Sequence, residues 1–234
     1  MNFFKNIIMK NKRPIIINGG GGGGPLWTPS SASNTIKQWV RPEELGTGTI
    51  TTWNAHVGVN LASVSGTDPV IITSAHNGRP IVRFTGVEEL TAAFGSHQNF
   101  PYTAGYIFKY TGDTSTLGVL FDGYTLDSVV VRTLSSQFNC YSDNGTPTVF
   151  GTTDNNWHVL LITINGSSST IQIDGSAETS APLLGNSYMD GLTIGSHIGG
   201  VYDSSVDVQE VVVWDGVLGS IDKSSWFTYG VTSR

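Results

Sequence analysis

From about Thr35 onward the chain alternates short apolar runs with turn residues. Residues 50–53 predict a strand. Asn77-Gly78 is a tight-turn signal, and 80–84 (Pro-Ile-Val-Arg-Phe) predict a strand leaving it. Further strands are predicted at 106–110, 117–121 and 128–132. The clearest hairpin joins 158–164 to 170–173 through a five-residue loop, 165–169, that contains Gly166. Alternation of Ile171 and Ile173 with Gln172 marks its second arm as half-buried. Residues 192–194 and the long run 206–214 complete the series. Strands spaced by roughly ten residues predict a sandwich or a barrel.

The run 206–214 carries more. Val206, Val208, Val212 and Trp214 share one parity, and Val211 and Val213 the other. Both faces are apolar near its end, so the strand is expected to be central and covered on both sides. The cover is a loop, the terminal helix or a neighbouring subunit, which makes an assembly partner an expectation. Only residues 220–229 predict a helix. Ser220 caps it, Asp222 suits the positive end of its dipole, and Gly230 stops it.

Composition supports this picture. Of 234 residues, 29 are glycine, 25 serine and 26 threonine, and charged residues are 13%, about half the usual quarter. That profile excludes coiled coils, helical bundles and nucleic-acid-binding helices. A hydrophobic share of 38% argues against disorder. The single cysteine, Cys140, rules out an internal disulfide and a cysteine-rich metal site.

The net charge of −6 is unevenly placed. Residues 1–13 hold Lys5, Lys10, Lys12 and Arg13 and no acid, so the rest carries eight bases against 18 acids, a balance of −10. Such a body is not expected to bind nucleic acid or an anionic membrane. The basic segment also carries Phe3, Phe4, Ile7, Ile8 and Ile15 to Ile17, which a purely solvated tail does not need. It is read as an assembly arm that docks on another protein. Lysines and asparagines interrupt its apolar stretches, so no export signal is expected, and no apolar run reaches 18 residues. Gly19, Gly20, Gly21, Gly22, Gly23 and Gly24 form a hinge. Pro25-Leu26-Trp27 follows where a phosphate-binding loop needs Lys and Ser/Thr. The expected organisation is an arm (1–18), a hinge and linker (19–34) and a sandwich (35–234).

Several blocks together carry a family resemblance. They are Trp39-Val-Arg-Pro-Glu-Glu, Ile50-Thr-Thr-Trp-Asn, Gly58-Val-Asn and Asn77-Gly-Arg-Pro-Ile-Val-Arg-Phe-Thr-Gly. Toward the C-terminus come Trp157-His-Val, Ile171-Gln-Ile-Asp-Gly, Leu192-Thr-Ile-Gly and Val208-Gln-Glu-Val-Val-Val-Trp-Asp-Gly-Val-Leu. In this order they make residues 36–229 resemble a laminin-G-like domain of the concanavalin A-like lectin/glucanase superfamily. The resemblance implies an all-β jelly-roll sandwich of two curved antiparallel sheets, here with an N-terminal arm and one short C-terminal helix. It places Trp39, Trp53, Trp157 and Trp214 in the core or on a sheet face. One such domain behind an arm and a hinge is similar to phage capsid-decoration, head-fibre and tail proteins. That implies a place on a virion, or alternatively an extracellular one. The partners would be other virion proteins reached through the arm, and host-surface or mucus glycans. Several copies on a particle, or a homo-oligomer, are expected.

The chemistry narrows the role further. Hydrolysis of a glycosidic bond needs two convergent carboxylates, which the superfamily's glucanases carry as E-x-D-x-x-E. Asp207 and Glu210 are three apart, so in a regular strand they point to opposite faces. Glu88 and Glu89 also diverge. Cys140 reads as an inert buried thiol, and His56, His76, His97, His158 and His197 stand singly. No enzymatic activity, cofactor or metal is therefore expected. The singly placed histidines argue against zinc, and calcium is the better candidate, because laminin-G-like domains sometimes bind it through rim loops. The oxygens on offer are Asp122, Asp143, Asn144, Asp154, Asn155 and Asp203, which turn chemistry accounts for equally well. Exposed aromatics beside amides and carboxylates suit a sugar. Asp122, Tyr124, Tyr141, Asp143, Asn144, Tyr202 and Asp203 are the expected glycan-binding set. Trp27, in the linker, is free to meet a partner protein.

Overall fold

A computed structural model describes residues 27–64, 66–125, 129–142, 145–185, 187–198 and 202–232. The assembly arm and the glycine hinge lie outside the described residues. Among the described residues, two antiparallel sheets of ten and eight strands pack face to face, and a single α-helix, α1 (Ser220–Thr232), closes the chain. This is the all-β sandwich that the strand spacing predicts. The first sheet is built around Ser205–Asp215, with Tyr102–Tyr110 on one side and Arg79–Thr85 on the other. Trp157–Ile164 follows Tyr102–Tyr110, and Thr170–Ile173 follows in turn, so the predicted hairpin forms in register, with Ile162 opposite Ile171. The second sheet runs from Thr148–Thr152 through Gln137–Ser142, Val129–Leu134, Gly118–Asp122 and Met189–Ile194 to Leu90–Gln98 and two shorter strands.

Two apolar clusters hold these layers. The larger lies between the sheets and includes Trp53, Phe84, Phe108, Phe121, Phe138 and Leu192. Phe108 meets Phe121 and Phe138 edge-on, each at 5.5 Å between ring centroids. The smaller lies on the far side of the first sheet, where Trp39, Ile107, Val159, Val212 and Trp214 pack against Leu218, Trp226 and Phe227. The second face of Ser205–Asp215 is thus covered by this chain's own helix and by the segment before Ile36–Val40.

The parity of Ser205–Asp215 differs from the expectation. A bulge lies between Val208 and Glu210 on the Tyr102–Tyr110 side. Val206, Val208, Val211 and Val213 all join the inter-sheet core, while Val212 and Trp214 face the helix. The extra residue, Gln209, is buried, and its Oε1 accepts from Nδ1 of His76 at 2.6 Å. One inserted residue returns every later side chain to the other face. Asp207 and Glu210 therefore share the helix-side face. Their expected placement on opposite faces is overturned because the strand is not regular between them.

The helix also departs from its predicted end. It runs past Gly230 to Thr232. That glycine is a contact point rather than a stop, because a Cβ there would lie 2.5 Å from Val159. Gly105 plays the same part in the sheet, where a Cβ would lie 2.8 Å from the Trp226 ring. Residues 27–34, read from sequence as linker, lie along the sandwich. Pro29 is buried and its carbonyl accepts from Nε1 of Trp214 at 3.1 Å. The Trp27 ring meets Tyr229 edge-on at 5.8 Å.

One buried histidine ties the Trp157–Ile164 strand to its neighbours. His158 lies 2.8 Å from Asp174 and 3.1 Å from Asp154. Burial disfavours its charge, but the hydrogen bond and charge of Asp174 and the charge of Asp154 outweigh this and raise its pKa. A raised histidine pKa stabilises the fold fully below about pH 6.5 and loses that contribution as pH climbs through the folded value. Thermal melts from pH 6 to 9 should show this loss, and His158→Gln should flatten it. Equal slopes in both proteins would remove the assignment.

Candidate functional site

The expected glycan-binding residues come from the second sheet and the loops at one end of it. Asp122 ends Gly118–Asp122 and pairs with Thr193, while Tyr141 pairs with Val130 two strands away. The Arg132 guanidinium lies over the Tyr141 ring at 4.3 Å. Tyr124 and Tyr202 are exposed, and His197 links the group, with its ring edge-on to Tyr202 and its Nε2 3.6 Å from Asp122. Asp203 is exposed beside Tyr202. Asp143 and Asn144 lie outside the described residues.

Asp122 itself is only 1% exposed. Its oxygens accept from the backbone amides of Gly123 at 2.7 Å and Ile198 at 3.2 Å. Burial outweighs these bonds and the nearby His197, and its pKa is raised. This carboxylate is buried against the two loop amides that donate to it. Of the six oxygen donors weighed for calcium, Asp154 is committed to His158 and to Asn156. Among the described residues no three His, Cys, Asp or Glu side chains gather closely enough to hold a metal ion.

A second site was not visible in the sequence. Across the first sheet, α1 turns one side inward and leaves the other free. Trp226, Phe227 and Gly230 are buried, whereas Ser224, Thr228 and Thr232, spaced four apart, stay exposed. Opposite them stand Arg41 and Glu43, at the short 3-10 turn Pro42–Glu44, and Arg79 at the start of Arg79–Thr85. Trp27 closes one end and Tyr229 lies in the wall. Together these residues surround an open groove of about 920 Å³.

The groove stands on a buried polar cluster. Glu210 is fully buried and accepts from Nε1 of Trp39 at 2.6 Å and from the Tyr229 hydroxyl at 2.7 Å. Arg79 lies 3.5 Å from the second oxygen of Glu210 and is tightly paired with Glu43. Its guanidinium also lies 5.6 Å over the Tyr229 ring. Burial drives the Glu210 pKa up, against the pull of Arg79 and the two hydrogen bonds, to about 7. Tyr229 is held far above its ordinary range by burial and by Glu210. The cluster therefore sets the wall rigidly while keeping its carboxylate out of reach of a ligand. Asp207, on the same face, is likewise buried and is gripped through two hydrogen bonds by Arg83, at 2.7 and 2.8 Å. Cys140 is fully buried, and burial holds its thiol protonated, so it is no nucleophile here.

No protein-family model matches this sequence, and no match was found among curated proteins. Solved structures with the same arrangement of sheets do exist. A Trypanosoma rangeli sialidase in complex with 2,3-difluorosialic acid superposes with a TM-score of 0.63 at 12% identity, over 92% of this chain and 34% of its own. The botulinum neurotoxin serotype D ligand binding domain in complex with N-acetylneuraminic acid gives 0.63 at 10% identity, over 85% and 52%. The serotype G binding domain gives 0.63 at 11%, over 83% and 51%. The chain thus spans about a third of the sialidase and half of each neurotoxin domain. At these identities the likeness is one of fold.

Proposed function

We propose that this protein is a non-enzymatic glycan-binding sandwich and that the groove beside α1 receives the sugar. The observation that carries the reading is the groove itself. Two aromatic rings, Trp27 and Tyr229, meet a row of helix hydroxyls and a fixed Arg79–Glu43 pair in a space of about 920 Å³. Aromatic faces suit the C–H side of a sugar ring, and paired donors and acceptors suit its hydroxyls. A neurotoxin domain of the same fold is known with a bound sugar, which supports the reading. The exposed Tyr124 and Tyr202 offer such a ligand a second contact on the other sheet.

The non-enzymatic part rests on the two carboxylates. Asp207 and Glu210 do share a face, so their divergence no longer excludes hydrolysis. The non-enzymatic reading is supported instead by their burial and their arginine partners, which keep both side chains away from a scissile bond or an attacking water.

We also infer display on a virion, in the manner of laminin-G-like decoration and tail proteins, with the arm as the anchor. The support is the charge split between a basic, apolar arm and an acidic body. Deleting residues 1–18 should abolish incorporation into particles and leave the sandwich folded. Particles that still take up the truncated protein would refute the anchor.

The sugar reading is tested on a glycan array with Ser224→Trp, which fills the groove from an exposed helix position, and with Trp27→Ala. The wild type should retain a subset of glycans. Ser224→Trp should lose them at unchanged melting temperature, and Trp27→Ala should weaken them about tenfold, roughly 1.4 kcal/mol. Retention that neither change touches would move the site elsewhere.

A further inference from the structure

Taking the groove as the sugar site, we infer that its ligand is an uncharged saccharide and that the site discriminates against acidic sugars. Both guanidinium groups in the wall are already occupied. Arg79 lies between Glu43 and the buried Glu210. Arg41 holds Glu44 at 3.0 Å while stacking 4.7 Å over the Trp39 ring. A guanidinium whose charge is already balanced by carboxylates of its own chain offers a ligand carboxylate less net attraction than an unpaired one.

The positive end of α1 is compensated too. Asp222 sits in its first turn and accepts from Nε1 of Trp27 and from the Ser33 amide, both at 3.4 Å. Lys223, the helix's only base, is drawn away to Glu178 at 2.7 Å. His56 is held at 2.7 Å by Glu44. An anion entering the groove would therefore meet Glu43 in the wall and two arginines already paired, with Glu44 and Asp222 behind it on Arg41 and Trp27. A like charge brought to such a wall is repelled in a medium less screening than water.

What the wall does leave open is neutral. Ser220, Ser224 and Ser225 bring hydroxyls that both donate and accept, and Trp27 and Tyr229 bring apolar surface. This is the complement of a polyol ring with no carboxylate or sulfate.

The test is an array that pairs each neutral glycan with its sialylated, uronate-bearing and sulfated counterparts, read near 0.15 M salt. The wild type should retain neutral glycans, and one added acidic sugar on the same core should cut the signal at least tenfold. Glu43→Gln frees Arg79 and should narrow that ratio at least fivefold. A preference for the acidic member of each pair, lost in Ser224→Trp, would overturn the neutral-ligand inference and leave the sugar site standing. If the full chain retained no glycan of either kind, the sugar-binding reading would fall with it.

Discussion

Glu210→Ala is expected to cost about 3–5 kcal/mol, the usual loss when one partner of a buried ion pair is removed. That is a large share of the roughly 5–15 kcal/mol that holds a domain together. Three groups lose a partner at once. Nε1 of Trp39 and the Tyr229 hydroxyl keep no other carboxylate to donate to, and Arg79 keeps one carboxylate, Glu43, beside its contact with Tyr229. Each buried donor left unmet costs about 1–3 kcal/mol. Glu210→Gln separates shape from charge. The amide oxygen still accepts, so the variant should fold well. It should, however, lose a pH dependence. A carboxyl raised from 4.5 to about 7 by burial contributes stability that is complete below its unfolded pKa and disappears as pH rises through the folded value. Urea titrations of the wild type should thus show stability falling between about pH 4.5 and 7, by on the order of 3 kcal/mol. The Gln variant should lose this contribution and keep those of Asp122 and, above about pH 6.5, of His158. A wild type as stable at pH 7 as at pH 5 would show that Arg79 holds Glu210 ionised throughout.

The same strand shows where sequence reading works and where it stops. Alternating apolar residues and an Asn77-Gly78 turn depend on local preference, so the hairpins form where the pattern puts them, while of the strand predicted at 50–53 only Thr52–Trp53 pairs. A bulge is a tertiary adjustment. Its trace was present, because the valines keep one parity at 206 and 208 and the other at 211 and 213. Both sets proved to face the same core. The shift hid the meeting of Asp207 and Glu210 on one face. The groove was harder to see. Its parts come from positions 27, 41–43, 79 and 220–232, and no local spacing joins them. Tyr124 and Tyr202 are exposed as their turn-rich surroundings predict, whereas Tyr141 lies half-buried in the strand Gln137–Ser142. The burial of Asp122 under two loops could not be read locally.

Trp226→Ala is expected to be the most damaging change outside the polar cluster. Trp226 is fully buried and is the centre of the contact between α1 and the sheet. Its ring meets Trp214 edge-on at 5.3 Å and stacks on Tyr229 at 5.9 Å, and Nε1 donates to the Leu160 carbonyl at 3.2 Å. Truncating a buried tryptophan costs about 3–5 kcal/mol through lost transfer energy and the cavity left behind. The backbone has been shaped around this ring, since Gly105 has no Cβ to spare at 2.8 Å from it. The void will not fill easily from the sheet side. Trp226→Phe should recover part of the loss and leave the Leu160 carbonyl without that donor. Two readouts locate the damage. Amide exchange should rise first along α1 and along Trp157–Ile164, the strand under it, while the second sheet stays protected. Glycan retention should fall together with helix protection, because Ser224, Thr228 and Tyr229 form the groove only while the helix is docked. Retained sugar binding in a protein whose helix exchanges freely would place the binding surface on the other sheet, at Tyr124 and Tyr202.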